Sequence, residues 1–229
     1  MEPITKTKVT ARVTTLYMFF GILFTTVLLV ANIIATKQVQ LGPWTVTAGV
    51  LCFPISYILS DVVAEVYGFV AARRIIWIAF TMNLLMVIIF MLAIAWPAPV
   101  WYENGEAFAT TLGSTPRLLI ASLIAYLIGS WANAAIISKM KVAQQGKSFG
   151  VRAVVSTIAG ELLDSMIFLP IAFLGVIPLE ALPMMVVIQV MVKTMYEVIA
   201  LPLTSFIVRK VKEYEQLDTF DHGVKRSLV

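Results

Sequence analysis

Six long apolar stretches run along this 229-residue chain, at about 16–36, 44–67, 75–96, 117–138, 152–175 and 182–208. Each comes up to the roughly 20 residues that carry a helix through the hydrocarbon core of a bilayer. The expected fold is therefore an all-α integral membrane protein: one domain of six transmembrane helices, followed by a polar tail at 209–229. Composition agrees, with 60% apolar and 13% charged residues, where a soluble domain has about 45–50% and about 25%. That excludes a disordered chain, a collagen and an ordinary soluble enzyme. Six crossings and their loops use nearly the whole chain, so no soluble catalytic domain fits in the remainder.

The net charge of +4 is a topology signal and not a nucleic-acid patch. Of the 17 basic residues, 14 fall on one side of the expected bundle: Lys6, Lys8, Arg12, Arg73, Arg74, Lys139, Lys141, Lys147, Arg152, Arg209, Lys210, Lys212, Lys225 and Arg226. Lys37 and Arg117 fall on the other side, and Lys193 lies within a span. Because cytoplasmic loops carry the excess of Lys and Arg, both termini are expected in the cytoplasm. The long loop at 97–116, with Trp101, Tyr102, Glu103 and Glu106, falls on the far side. It reads as an interfacial aromatic segment, with a substrate lid as the alternative. The GKS at 146–148 lacks the upstream Gly and the strand of a phosphate-binding loop and reads as a solvated turn.

One Cys, Cys52, and one His, His222, exclude an internal disulfide, a Ser-His-Asp triad within the membrane and an HExxH zinc helix. No metal or other cofactor is expected.

Six charged residues fall within the spans: Asp61, Glu65, Glu161, Asp164, Lys193 and Glu197. Each costs about 2.5–3.5 kcal/mol at a helix centre, and six on the order of 15–20 kcal/mol as an upper bound. Their spacing is ordered. Tyr57, Asp61 and Glu65 fall at i, i+4 and i+8 in the second span, and Glu161 and Asp164 at i and i+3 in the fifth. Gln189, Lys193 and Glu197 fall again at i, i+4 and i+8 in the sixth, beside Tyr196. A polar stripe on a membrane helix faces protein or water, not lipid, and Asn32 and Asn133 add amides from the first and fourth spans. One cation cannot neutralise five carboxylates, so these residues point to a polar binding cavity. Buried ion pairs that only hold the bundle together are the alternative.

Prolines Pro54, Pro170 and Pro202 fall in the same three spans as the acids, where each would leave a helix carbonyl free. Ala125/Gly129 and Ser156/Gly160 are spaced to let helices approach closely. ANIIATK (31–37) and ANAAIISK (132–139), with acids in the span after each, suggest a three-plus-three inverted repeat.

The string FPISYILSDVVAEVYG (53–68), followed by AARRIIW (71–77), resembles the vitamin uptake transporter family, in particular the queuosine precursor transporters (the YhhQ-like group). ANIIATK, LIASLIAYLIGSWANAAIISKMK (119–141), STIAGELLDSMIFLPIAFLG (156–175) and VMVKTMYEVIALPLT (190–204) extend the resemblance over nearly the whole chain. It departs at Ser130, where a larger polar residue, Glu or Gln, is expected. The resemblance implies six helices like those of the substrate-binding subunits of energy-coupling-factor importers. It also implies import of a 7-deazaguanine base, chiefly 7-cyano-7-deazaguanine, across a bacterial inner membrane.

The residues suit such a ligand. One carboxylate can accept the N–H and exocyclic amine of a deazaguanine edge side by side. Lys193, Asn32, Asn133 or Gln189 can donate to its carbonyl, and Tyr57, Tyr196, Trp131 or Phe53 can stack on its face. The expected substrate-binding set is thus Asn32, Tyr57, Asp61, Glu65, Asn133, Glu161, Asp164, Gln189, Lys193, Tyr196 and Glu197. Expected partners are this base and membrane lipid, with a homodimer compatible. Two other readings compete: a binding subunit that needs an ATPase partner, and an intramembrane enzyme acting through its acids. The enzyme lacks both the GxGD and the GxSG motif.

Overall fold

An unbroken apolar run with no internal proline folds as α1, Thr15–Ile34. The structure, a computed structural model, describes residues 13–34, 37–41, 44–113, 116–173, 180 and 182–223. Lys6, Lys8, Arg12, Lys225 and Arg226, which entered the charge asymmetry, lie outside the described residues, as do the side chains of Phe53 and Arg117. Four further long helices follow: α3 (Phe69–Ala95), α5 (Pro116–Ala143), α6 (Phe149–Phe173) and α7 (Leu182–Glu215). At about 1.5 Å per residue each reaches or exceeds the roughly 30 Å of a bilayer core. These five helices are long and apolar enough to cross a membrane. Large apolar side chains such as Ile22, Leu92, Met191 and Ile199 cover their outer faces. The protein is a multi-pass helical membrane protein.

The second expected span, 44–67, is not one continuous helix. Gln38–Leu41 and Trp44–Thr47 form an antiparallel hairpin, β1 and β2, with Val39 opposite Val46 and Gln40 opposite Thr45. Both segments alternate polar and apolar residues, and β2 carries β-branched Thr and Val, a pattern that fits a pleated ribbon better than a helix. A 3-10 turn, Ala48–Cys52, leads into the short α2, Phe53–Val62, which continues as a π-turn over Val63–Tyr67. Pro54 therefore stands in the first turn of α2, where its missing N–H costs nothing. Pro170 and Pro202 do lie inside helices, α6 and α7. The 97–116 segment carries a two-turn helix, α4 (Gly105–Leu112), preceded by exposed Trp96 and Trp101.

The apolar core lies around the π-turn. Phe20 and Phe24 of α1, Val62 and Val66 of the α2 segment, Phe69 and Ile76 of α3, Ile137 of α5 and Val208 of α7 meet there, with Trp131 packed against them. Gly68, between the π-turn and α3, has φ +83° and ψ 175°; a Cβ there would stand 2.8 Å from the Thr219 methyl. Only glycine suits both the backbone and the space.

α5 packs more extensively on α6 than any other pair of elements. The reason is glycine on both sides: a Cβ on Gly160 would stand 2.9 Å from the Gly129 carbonyl, and the reverse contact is equally short. The predicted small-residue approach is thus the α5–α6 interface. Gly160→Val should force the two backbones apart at a cost of about 1–3 kcal/mol. Thermal unfolding in detergent checks this; a melting temperature equal to wild type would contradict the packing account.

Candidate functional site

Three helices bring the acidic stripes together. From α2, the Tyr57 hydroxyl donates to Glu161 Oε1 of α6 at 2.7 Å. From α7, Lys193 pairs with Glu161 Oε2 and donates to Asp164 Oδ2 at 3.2 Å. The i, i+3 spacing of Glu161 and Asp164 presents both carboxylates to one ammonium. Lys193 thus bridges to α6 and not to Glu197 one turn away on its own helix. The network is mostly buried, with its exposure concentrated on the acids of α6: the Glu161 and Asp164 side chains are 13% and 22% exposed.

Asp61 and Glu197 form a different arrangement one turn further along α2 and α7. α2 packs against α7, and the two carboxyl groups stand there within electrostatic reach of each other. Asp61 is 0% and Glu197 1% exposed, and no described residue donates to any of their four oxygens.

Glu65 leaves the stripe. The π-turn is wider than an α-turn, so it breaks the i, i+4 register after Asp61. Glu65 lies instead at the basic end of the bundle, fully buried, and accepts from Arg152 of α6 and Lys212 of α7 at 2.8 Å each. Lys141 of α5 stands 3.7 Å from the same oxygen and donates to the Glu65 carbonyl at 2.5 Å. Arg152 is completely buried and also donates to the Lys147 carbonyl.

The segment after α7 folds back over this end. Lys141 donates to Asp218 and to the Thr219 carbonyl, with the Phe220 ring 4.7 Å from its ammonium. Lys212 pairs with Asp218 at 2.9 Å. Asp221 accepts from the Phe69 amide at 2.9 Å and from the Ser138 hydroxyl at 2.5 Å, and the Thr219 amide donates to the Val66 carbonyl at 3.2 Å. Counting basic residues for topology missed this strap; the acids Asp218 and Asp221 in so basic a tail were the available signal, and Asp218 is the one that meets Lys141 and Lys212.

Burial pushes the Asp218 carboxyl up, but hydrogen bonds from Lys141 and Lys212 outweigh it and hold the group below the ordinary carboxylate range. A group held down in the folded state stabilises above its ordinary pKa, and that stability is lost as pH falls through the folded value. Asp218→Asn should therefore lower the melting temperature at neutral pH and make no difference well below the ordinary aspartate value of about 3.9. A wild-type–variant gap independent of pH would contradict the role of this carboxylate.

The remaining candidates are scattered. Asn32 donates to Asn83 of α3 at 3.0 Å and accepts from Ser122 of α5 at 3.4 Å, beside a small cavity lined also by Met86 and Phe90. Asn133 donates to Ser156 and Thr157 at 3.4 and 3.3 Å, within the α5–α6 contact. Gln189 and Tyr196 are half-buried on α7.

Two comparisons bear on the site. A family model described as "Putative vitamin uptake transporter" matches residues 47–207, which contain both acid clusters. A "Probable queuosine precursor transporter" of Bacillus subtilis (strain 168) is 26% identical over 173 residues, 75% of this chain and 76% of that protein. No solved structure matches the chain significantly.

Proposed function

Since the chain belongs to the vitamin uptake transporter family, we propose that it imports a queuosine precursor, a 7-deazaguanine base such as 7-cyano-7-deazaguanine. The Bacillus subtilis relative's name supports the substrate class. The observation that carries the reading is the partly accessible network of Tyr57, Glu161, Asp164 and Lys193, set among helices long and apolar enough to cross a membrane. Asp164, its most exposed member, accepts the ring N–H and exocyclic amine of the base. Lys193 donates to the base carbonyl, Glu161 holds Lys193 in place, and Tyr57 locks Glu161. Tyr196 and Gln189, on the same helix as Lys193, line the approach. A neutral base enters such a site without bringing a further charge into the membrane.

The segment Phe53–Tyr67 serves as the sixth crossing, shortened and joined to the hairpin. With it, the lysine and arginine asymmetry puts both termini in the cytoplasm of a bacterial cell and the hairpin with α4 on the outer side of the inner membrane. The Glu65–Arg152–Lys212 cluster and the strap then close the cytoplasmic end.

The test is direct binding. Purified protein in detergent should bind 7-cyano-7-deazaguanine by titration calorimetry, with competition by other 7-deazaguanines and none by adenine. Absence of binding, or equal competition by adenine, would contradict the assignment.

A further inference from the structure

Asp61 and Glu197 are left over once the Tyr57–Glu161–Lys193–Asp164 network is taken as the base site. Both are buried beyond nine-tenths, and they come from different helices, α2 and α7. Neither group has a donor on any of its oxygens among the described residues. Their acidic neighbours are paired with cations: Glu65, in the turn after α2, through Oε1 with Arg152 and Lys212, its Oε2 having no donor among the described residues, and Glu161 of α6 with Lys193, while also accepting from Tyr57. Lys193, one turn before Glu197, is engaged by Glu161 and Asp164, and Lys141 of α5 reaches only as far as Glu65.

Two acceptors that face each other can bond only through a hydrogen that one of them carries. Two carboxylates at this depth would leave two uncompensated buried charges, which costs several kcal/mol. A metal cation is a poor alternative, because hard cations take about six or more oxygen ligands. Among the described residues no three His, Cys, Asp or Glu side chains converge. The base itself is excluded on accessibility, since the pair is fully closed off while Asp164 of the neighbouring network is 22% exposed.

We propose that Asp61 and Glu197 hold one proton between them and that this proton is the coupling ion of transport. The inference rests on the transporter reading above and adds a second, separate site to it. The balance is simple. On the outer side the pair takes one proton from water, becoming a carboxylic acid hydrogen-bonded to a carboxylate. On the inner side it returns that proton to water, and the neutral base crosses in the same cycle. The pair joins α2 to α7, the helices that also contribute Tyr57 and Lys193 to the base site, so its protonation state bears on how those two groups stand.

Two measurements test the proposal. Infrared spectra of the protein in lipid nanodiscs at neutral pH should show the carbonyl stretch of a protonated carboxylic acid. That band should shift in frequency in both Asp61→Asn and Glu197→Gln, disappear in the double variant, and stay in place in Glu161→Gln. This arm needs no substrate, so a failure of base binding leaves it standing. In liposomes with the membrane potential clamped, a one-unit gradient, acid outside, should support about tenfold accumulation of 7-cyano-7-deazaguanine for one proton per base. Asp61→Asn should still carry the base to equilibrium across the membrane but lose the gradient-driven accumulation. Absence of the infrared band in wild type, its persistence unchanged in the double variant, or wild-type uptake indifferent to the gradient would each overturn the proposal.

Discussion

Asp164→Asn should weaken binding of the base by roughly ten- to hundredfold while leaving a folded protein. A hydrogen bond to a charged group contributes about 1.5–3 kcal/mol, and about 1.4 kcal/mol is a factor of ten. The amide keeps the shape of the side chain but replaces an acceptor oxygen with a donor, which opposes the N–H edge of the base. Asp164 is 22% exposed, so its neutralisation strands no buried charge. Glu161 holds Lys193, whose side chain is 7% exposed. Lys193→Met alone should therefore destabilise the protein strongly, because it leaves two carboxylates without their cation. Adding Glu161→Gln to Lys193→Met should restore much of the stability and none of the binding. If the double variant recovers both, the network is a structural ion pair and the base binds elsewhere. Normal affinity in Asp164→Asn would equally remove that residue from the site.

The second large effect is at the basic end. Glu65→Gln should destabilise the fold by about 3–5 kcal/mol, the usual result of removing one partner from a buried charge cluster. Arg152 is completely buried and Lys141 nearly so, and both face the Glu65 carboxylate together with Lys212. Without it, Lys141 and Lys212 share Asp218 of the strap, and Arg152 loses its carboxylate partner. The double variant Glu65→Gln/Arg152→Met should recover a large part of the loss, since both the charge and its partner are gone. Thermal unfolding of the four proteins closes the cycle. A Glu65→Gln variant that melts with wild type would contradict the description of this cluster as the clamp of the basic end of the bundle.

What the sequence made legible follows from which interactions are local. Length and apolarity report a membrane helix directly, so α1, α3, α5, α6 and α7 fall close to their expected runs. Glu161 and Asp164 belong together because i and i+3 share a helix face, and the structure keeps them so. Gly129 and Gly160 were legible as a close approach for the same reason. The failures are non-local or depend on a change of period. Hydropathy could not separate Trp44–Thr47 from a helix, because alternation over four residues is lost inside a longer apolar run. A π-turn has no sequence period of its own, so Glu65 was grouped with Asp61 although it ends up among Arg152, Lys141 and Lys212. Lys193 has an acid one turn away in sequence and two across the interface, and only the packing of α6 on α7 decides in favour of Glu161 and Asp164. The strap carries no periodic signal at all, and its docking depends on Gly68 leaving room for Thr219.

The central claim is that this chain alone carries a 7-deazaguanine base across a membrane through the Tyr57–Glu161–Lys193–Asp164 site. Counterflow in liposomes containing only the purified protein, with no ATPase and no nucleotide, tests it most directly. Vesicles preloaded with unlabelled 7-cyano-7-deazaguanine should accumulate labelled base from outside, and the same vesicles carrying Asp164→Asn should not. Wild-type vesicles that bind the base and fail to exchange it until an ATPase partner is added, or Asp164→Asn vesicles that exchange as fast as wild type, would contradict the account.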